Sequence, residues 1–214
     1  MIVKDIPVFD TENGVASLIL REIPYTSVAY VRVRSSLAPE KLLEECVQFC
    51  RACGAERVYG AGENSFEGFH LHTAIWQMRI LKENLGDTDA ALWPVQQQTL
   101  HQWRSLYNER MKDVPNAAYM TISDGEKLLK EGHGYFIHRD GKLLGIGIAG
   151  GGKIDGVVAA EPGAGADVVR ALAHAIVDET VILEVASENH RAVRLYERLG
   201  FIRTGELSKW YQIF

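Results

Sequence analysis

Apolar positions along the chain switch between the two-residue step of strands and the three-and-four step of helices, and the switches mark out the elements. Residues 16–34, ASLILREIPYTSVAYVRVR, are rich in β-branched and aromatic side chains and break at Ile23-Pro24, which predicts two strands joined as a hairpin. Pro39 then opens a segment with Leu42, Leu43, Cys46, Val47, Cys50 and Cys53 at the spacing of an amphipathic helix, and Gly54 stops it. Strands are predicted over 55–61 and 72–80, separated by a polar turn that holds Gly62, Glu63 and Asn64. The run ENLGDTDA, 83–90, is polar and turn-like. It predicts a boundary between a smaller α/β half, 1–85, and a second domain, 91–214.

The second domain reads as a short strand at 91–95, helices at 99–112 and 124–131, and strands 134–138 and 142–149 around the turn Arg139-Asp140-Gly141. A third strand, 153–161, runs into PGAGAD and a helix with Val168, Val169, Leu172, Ala175 and Ile176 on its apolar face. The strand VILEVAS, a helix opened by Glu188-Asn189 and closed by Gly200, and the strands FIRTGEL and KWYQIF follow. The fold class is therefore α/β (α+β), with strands and helices interleaved.

Composition narrows the partners. The 214 residues carry 23 Lys plus Arg against 28 Asp plus Glu, a net charge of −5, so there is no basic excess for nucleic acid. No apolar run approaches the roughly 18 residues that cross a bilayer, and the opening MIVKDIPVFD lacks the basic-then-apolar order of a signal peptide, so a cytoplasmic location away from membranes is expected. The three cysteines share one helix face, where thiols four and three apart are more often core than metal ligands; no metal is expected.

Two features carry candidate chemistry. The glycines of Pro162-Gly163-Ala164-Gly165 stand before a helix, where free N–H groups and about half a positive charge suit a phosphate, although glycines also serve as a tight turn. The loop lacks the Lys-Ser/Thr ending of an ATP-binding loop and the six-residue glycine pattern of a dinucleotide fold. In the next helix, seven steps of about 100° return Tyr196 to the face of Asn189, so both residues can meet one ligand. Equally, Asn189 suits an N-cap and Tyr196 continues the apolar stripe of Ala192, Leu195 and Leu199.

The run LEVASENHRAVRLYERLGF, behind a strand, a glycine-rich turn and a helix, resembles the acetyl-CoA-binding half of the GNAT N-acetyltransferase superfamily, with Asn189, Ala192, Leu195, Tyr196, Gly200 and Phe201 in the order of its signature. The resemblance extends over 91–214 and implies a mixed, mostly antiparallel sheet flanked by helices. It also implies acetyl transfer from acetyl-CoA to a primary amine of a small molecule or peptide in a ternary complex. On the same basis Val157, Val158 and Ala159 would splay from the neighbouring strand and offer backbone groups to the pantetheine arm and acetyl oxygen, and Gly163, Ala164, Gly165 and Ala166 would cradle the pyrophosphate. Asn189 would bond the pantetheine region, and Tyr196 would be the general acid for the leaving thiolate.

The chain also departs from that pattern. Ala160 stands where relatives carry Gln or Arg, the loop is about three residues short on that comparison, and Lys153 stands where some relatives carry a glutamate base. Asp155 and Glu161 are nearby carboxylates, no base is assigned, and Asp167 is expected to face solvent. These departures keep a non-catalytic acyl-CoA-binding module as the alternative. Shifting the chain by 125 residues lays Ala61-Gly62-Glu63-Asn64 over Ala186-Ser187-Glu188-Asn189, so the first half reads either as a degenerate copy of the second or as a generic β-α-β unit. Neither the acceptor nor the assembly is fixed at this level, and a homodimer stays open.

Overall fold

The computed structural model describes residues 4–62 and 66–214, so the turn through Glu63 and Asn64 and its alignment with Glu188 and Asn189 lie outside the described residues. In chain order the elements are β1 (Ile6–Thr11), β2 (Gly14–Ile19), α1 (Ile23–Thr26), β3 (Val28–Ser36), α2 (Pro39–Ala52), β4 (Arg57–Ala61) and β5 (His70–Leu81). They continue as β6 (Ala91–Pro94), α3 (Leu100–Met111), α4 (Ile122–Glu131), β7 (Gly134–Arg139), β8 (Lys142–Gly150) and β9 (Lys153–Ala159). The chain closes with α5 (Gly165–His174), β10 (Thr180–Ala186), α6 (His190–Arg198) and β11 (Ile202–Gln212).

Two units divide this order, one holding the chain up to Ile75 with Glu206–Phe214, the other Trp76–Gly205. The division falls inside β5 and β11, and the polar run 83–90 lies within the second unit.

In the first unit the strand order is β1-β2-β3-β4, then the later part of β11, then the earlier part of β5. The predicted hairpin is β2 against β3, antiparallel with Leu18 opposite Val31, and its break at Ile23-Pro24 is the single turn α1. Strand β1 leaves no mark in the hydrophobic pattern because Pro7 and Asp10 interrupt its apolar alternation. It pairs antiparallel with β2 through a turn in which Gly14, at φ +148°, supplies a backbone angle that other residues avoid. Helix α2 packs Leu42, Cys46 and Cys50 onto Ala16, Leu18, Val31 and Val58. The thiols of Cys46 and Cys50 are both pushed up to about 12 by burial.

In the second unit the order is β6-β7-β8-β9-β10, then the later part of β5, then the earlier part of β11. Successive strands from β6 to β9 pair antiparallel, and β9 and β10 are parallel. Helices cover both faces. On one, α3 and α4 bury Trp103, Tyr107 and Leu128 against Phe136, Ile146 and Val158. Trp103 is fully buried, and its indole N–H donates to the Tyr135 carbonyl at 2.9 Å. On the other face α5 and α6 bury Val168, Leu172, Val193 and Tyr196 with Ile137, Leu144, Ile154 and Leu183. A reciprocal cap between Thr121 and Asp124 starts α4. The predicted strands FIRTGEL and KWYQIF are one continuous strand, β11.

No helix of the described residues is long and apolar enough to cross a membrane.

Candidate functional site

The second unit opens where β9 and β10 stop pairing. Their parallel ladder holds only Lys153 opposite Ile182 and Ile154 opposite Leu183, yet β9 runs on to Ala159 and β10 to Ala186. A β-bulge causes the parting: between Ile154 and Gly156 the register of β9 against β8 slips by one, leaving Asp155 as the extra residue.

Beyond the bulge, backbone direction is set by the two-residue alternation of a strand. The Ala160 N–H donates to the Leu144 carbonyl at 2.9 Å, and Val158 stands opposite Ile146, so the backbone groups of Val158 turn towards β8. Those of Val157 and Ala159 turn the other way, into the gap. Of the three residues proposed to offer backbone contacts, Val157 and Ala159 are therefore the ones placed to do so.

At the far end of the gap lies the glycine loop. Gly163 has φ +86°, and a Cβ built there meets nothing within 4 Å, so glycine is needed for its conformation and the space before it is open. Gly165 has a different reason: a Cβ there would stand 2.9 Å from the Leu195 side chain of α6, which presses on the start of α5. Helix α5 begins at Gly165, inside the predicted loop, and Val168 N–H is the first donor to find a helical carbonyl, that of Ala164, at 3.0 Å. Ala164 N–H is taken by the Glu161 carbonyl at 3.3 Å. The N–H groups of Gly163, Gly165 and Ala166 have no acceptor among the described residues. A row of free donors at a helix start is a fit for an anion such as pyrophosphate.

Asp167 does not face solvent as expected. Its carboxylate accepts from Arg139 at 3.0 Å and from Thr88 at 3.3 Å, with Arg170 at 3.7 Å. Glu161 pairs with Lys142 at 3.1 Å.

Helix α6 places the other two predicted residues. Asn189 is its N-cap, with Oδ1 accepting from Ala192 N–H at 3.2 Å. Tyr196 is 7% exposed, its ring 5.7 Å from that of Phe201, and burial raises its hydroxyl above the ordinary 10.0. It belongs to the apolar cluster that also takes in Ala164, Val185, Val157 and Ala166, so the helix, the loop and the diverging strand meet there.

One functional candidate is new. Lys153 bonds Asp155 at 2.9 Å and Glu184 at 3.5 Å, which brings two carboxylates to the vertex of the gap. The hydrogen bond to Asp155 leads the causes that raise Lys153, so its ammonium stays charged. Glu184 is the first β10 residue after the last strand pair. The signal for it in sequence is that it is the single charged residue of TVILEVA. Glu161, by contrast, lies at the glycine loop, a strand length from the vertex.

Among the described residues the first unit lacks this opening. There β3 and β4 pair over all of β4, from Val28 opposite Arg57 to Arg32 opposite Ala61, and a Cβ on Gly62 would stand 3.0 Å from the Val33 carbonyl. Helix α2 starts at Pro39, which has no N–H, and the preceding Leu37 and Ala38 donate to Asn13. Among the described residues no group of three or more His, Cys, Asp or Glu is set to hold a metal.

Residues 159–211, which carry the loop, α5, β10, α6 and most of β11, match the FR47-like protein family. A GCN5-related N-acetyltransferase from Sphaerobacter thermophilus superposes with a TM-score of 0.55 at 16% identity, covering 93% of this chain and 76% of that one. The chain has a GNAT-like fold. The same GNAT likeness extends to a tandem GNAT protein from the clavulanic acid biosynthesis pathway, with a TM-score of 0.53 at 14% identity over 92% of this chain and 78% of that one. A conserved protein of unknown function from Staphylococcus epidermidis ATCC 12228 superposes at 0.60 with 12% identity, over 95% of this chain and 91% of that one. No curated protein matches the sequence.

Proposed function

We propose that the chain is an N-acetyltransferase that moves the acetyl group of acetyl-CoA to a primary amine of a small molecule or peptide, by direct transfer in a ternary complex. The observation that carries this reading is the gap between β9 and β10, with free backbone groups on one side and the unpartnered N–H row of α5 at its end.

In this reading Gly163, Gly165 and Ala166 donate to the pyrophosphate, with Ala164 holding the turn, and Val157 and Ala159 bond the pantetheine arm and acetyl oxygen. Asn189 presents its side-chain amide to the pantetheine region. At the vertex Lys153 keeps Asp155 engaged at 2.9 Å, so the more loosely held Glu184 takes the amine proton. The amine nitrogen bonds the thioester carbon, the carbon–sulfur bond breaks, and Tyr196 gives its proton to the departing sulfur. Burial keeps the hydroxyl protonated at neutral pH, as a proton donor must be.

The first half, in which no such gap opens among the described residues, serves as scaffold in this reading, a copy that has lost its cofactor site. The test is the melting temperature with and without millimolar acetyl-CoA, followed by CoA release with a panel of amines. A rise with turnover supports the transferase; a rise with no turnover supports a binding module; no rise overturns the CoA site.

A further inference from the structure

Two carboxylates flank the glycine loop, Glu161 just before it and Asp167 in the first turn of α5. Free to swing over the cradle, either would repel a phosphate and compete for its N–H groups. Both are instead tied to the β7–β8 hairpin. Arg139, the last residue of β7, holds Asp167 at 3.0 Å and is itself seated by Asp89 at 2.5 Å. Lys142, the first residue of β8, holds Glu161 at 3.1 Å. The Lys142 pair is mostly exposed and contributes little. The Arg139 pair is the more enclosed, with side chains 32% and 25% exposed. Thr88 gives Asp167 a further donor on the same side, at 3.3 Å.

Resting on the proposed CoA site, we infer that Arg139 is a positioning residue for phosphate binding: it draws the Asp167 carboxylate off the cradle and so keeps the loop open to an anion. Arg139 does this without touching the phosphates. Its charge is spent on Asp89 and Asp167.

A double-substitution cycle in the full chain, read as the dissociation constant of CoA by calorimetry, tests this. Arg139→Gln weakens CoA binding about tenfold, as a carboxylate released beside a bound phosphate would. Adding Asp167→Asn to it restores the affinity to within about threefold, and Asp167→Asn alone binds CoA at least as tightly as the unsubstituted chain. A merely structural loss would not be rescued by removing a second partner. If Arg139→Gln binds as tightly as the parent, or if the double substitution stays as weak as the single one, the inference falls; the second result would mean that Arg139 meets the phosphate itself. Should Arg139→Gln not fold, Arg139→Lys, which keeps the charge but offers one donor group to two carboxylates, carries the same comparison. Failure of the parent chain to bind CoA would instead overturn the proposed function.

Discussion

Ile154 and Leu183 are the last partners of two parallel strands that then separate. The backbone groups the site offers lie beyond that pair, because a strand paired on both edges has none to give a ligand. The first unit shows the converse: Tyr30 and Tyr59 sit in a ladder that continues to the end of β4.

Ala159→Pro removes an N–H aimed into the gap while leaving the Ala160 bond to Leu144 in place. One lost backbone hydrogen bond weakens CoA by about 1 kcal/mol, roughly fivefold. Calorimetry with CoA should show that loss with a melting temperature changed by only a few degrees; collapse of the fold would show that Ala159 is instead part of the sheet's own bonding.

Tyr196→Phe keeps the ring against Phe201 and deletes only the proton donor. Turnover should fall about a hundredfold or more while the dissociation constant of CoA stays within about threefold. Steady-state kinetics beside direct binding decides it, and equal losses in both would remove Tyr196 from the acid role.

Glu184→Gln should lower turnover on the order of a hundredfold while the dissociation constant of CoA stays within about threefold. Asp155→Asn, which frees Lys153 from its closer partner, should cost less. Unchanged turnover in Glu184→Gln would mean that the amine proton leaves through water.

Alkaline stability follows from the first unit's buried groups. Cys46 and Cys50 are raised from 9.0 to about 12, and Tyr30 from 10.0 to about 12, in each case chiefly by burial. Below pH 9 these groups are protonated in both states, and their burial carries no pH-dependent penalty. As pH rises from about 9 towards 12 the unfolded chain ionises them first and is favoured, so stability is lost across that window. Urea midpoints measured over the window should fall steadily, and Cys50→Ala should flatten the fall even though it lowers the midpoint at neutral pH.

Periodicity and punctuation were enough for most of the elements and for the residues of the loop and α6, because a glycine at positive φ, an N-cap and an apolar stripe are all local requirements. Gly163, Gly165, Asn189 and Tyr196 are legible for that reason, and the order Asn189, Ala192, Leu195, Tyr196, Gly200 and Phe201 carries the GNAT resemblance. What local pattern could not decide is which groups remain free. Whether Val157 or Val158 faces the gap depends on a one-residue bulge at Asp155, and a slip of one residue exchanges every backbone direction beyond it. Glu184 joins Lys153, 31 positions away in sequence, and Asp167 joins Arg139, 28 positions away (184 − 153 and 167 − 139), only because strands β7 to β10 are packed side by side. The division inside β5 and β11 is likewise a matter of strand pairing, which leaves no mark in the composition of the run at 83–90. The sequence by itself thus determined the elements and the residues of the loop and helix; the tertiary structure decided where the sheet opens, since an opening is the absence of a partner that only folding can supply or withhold.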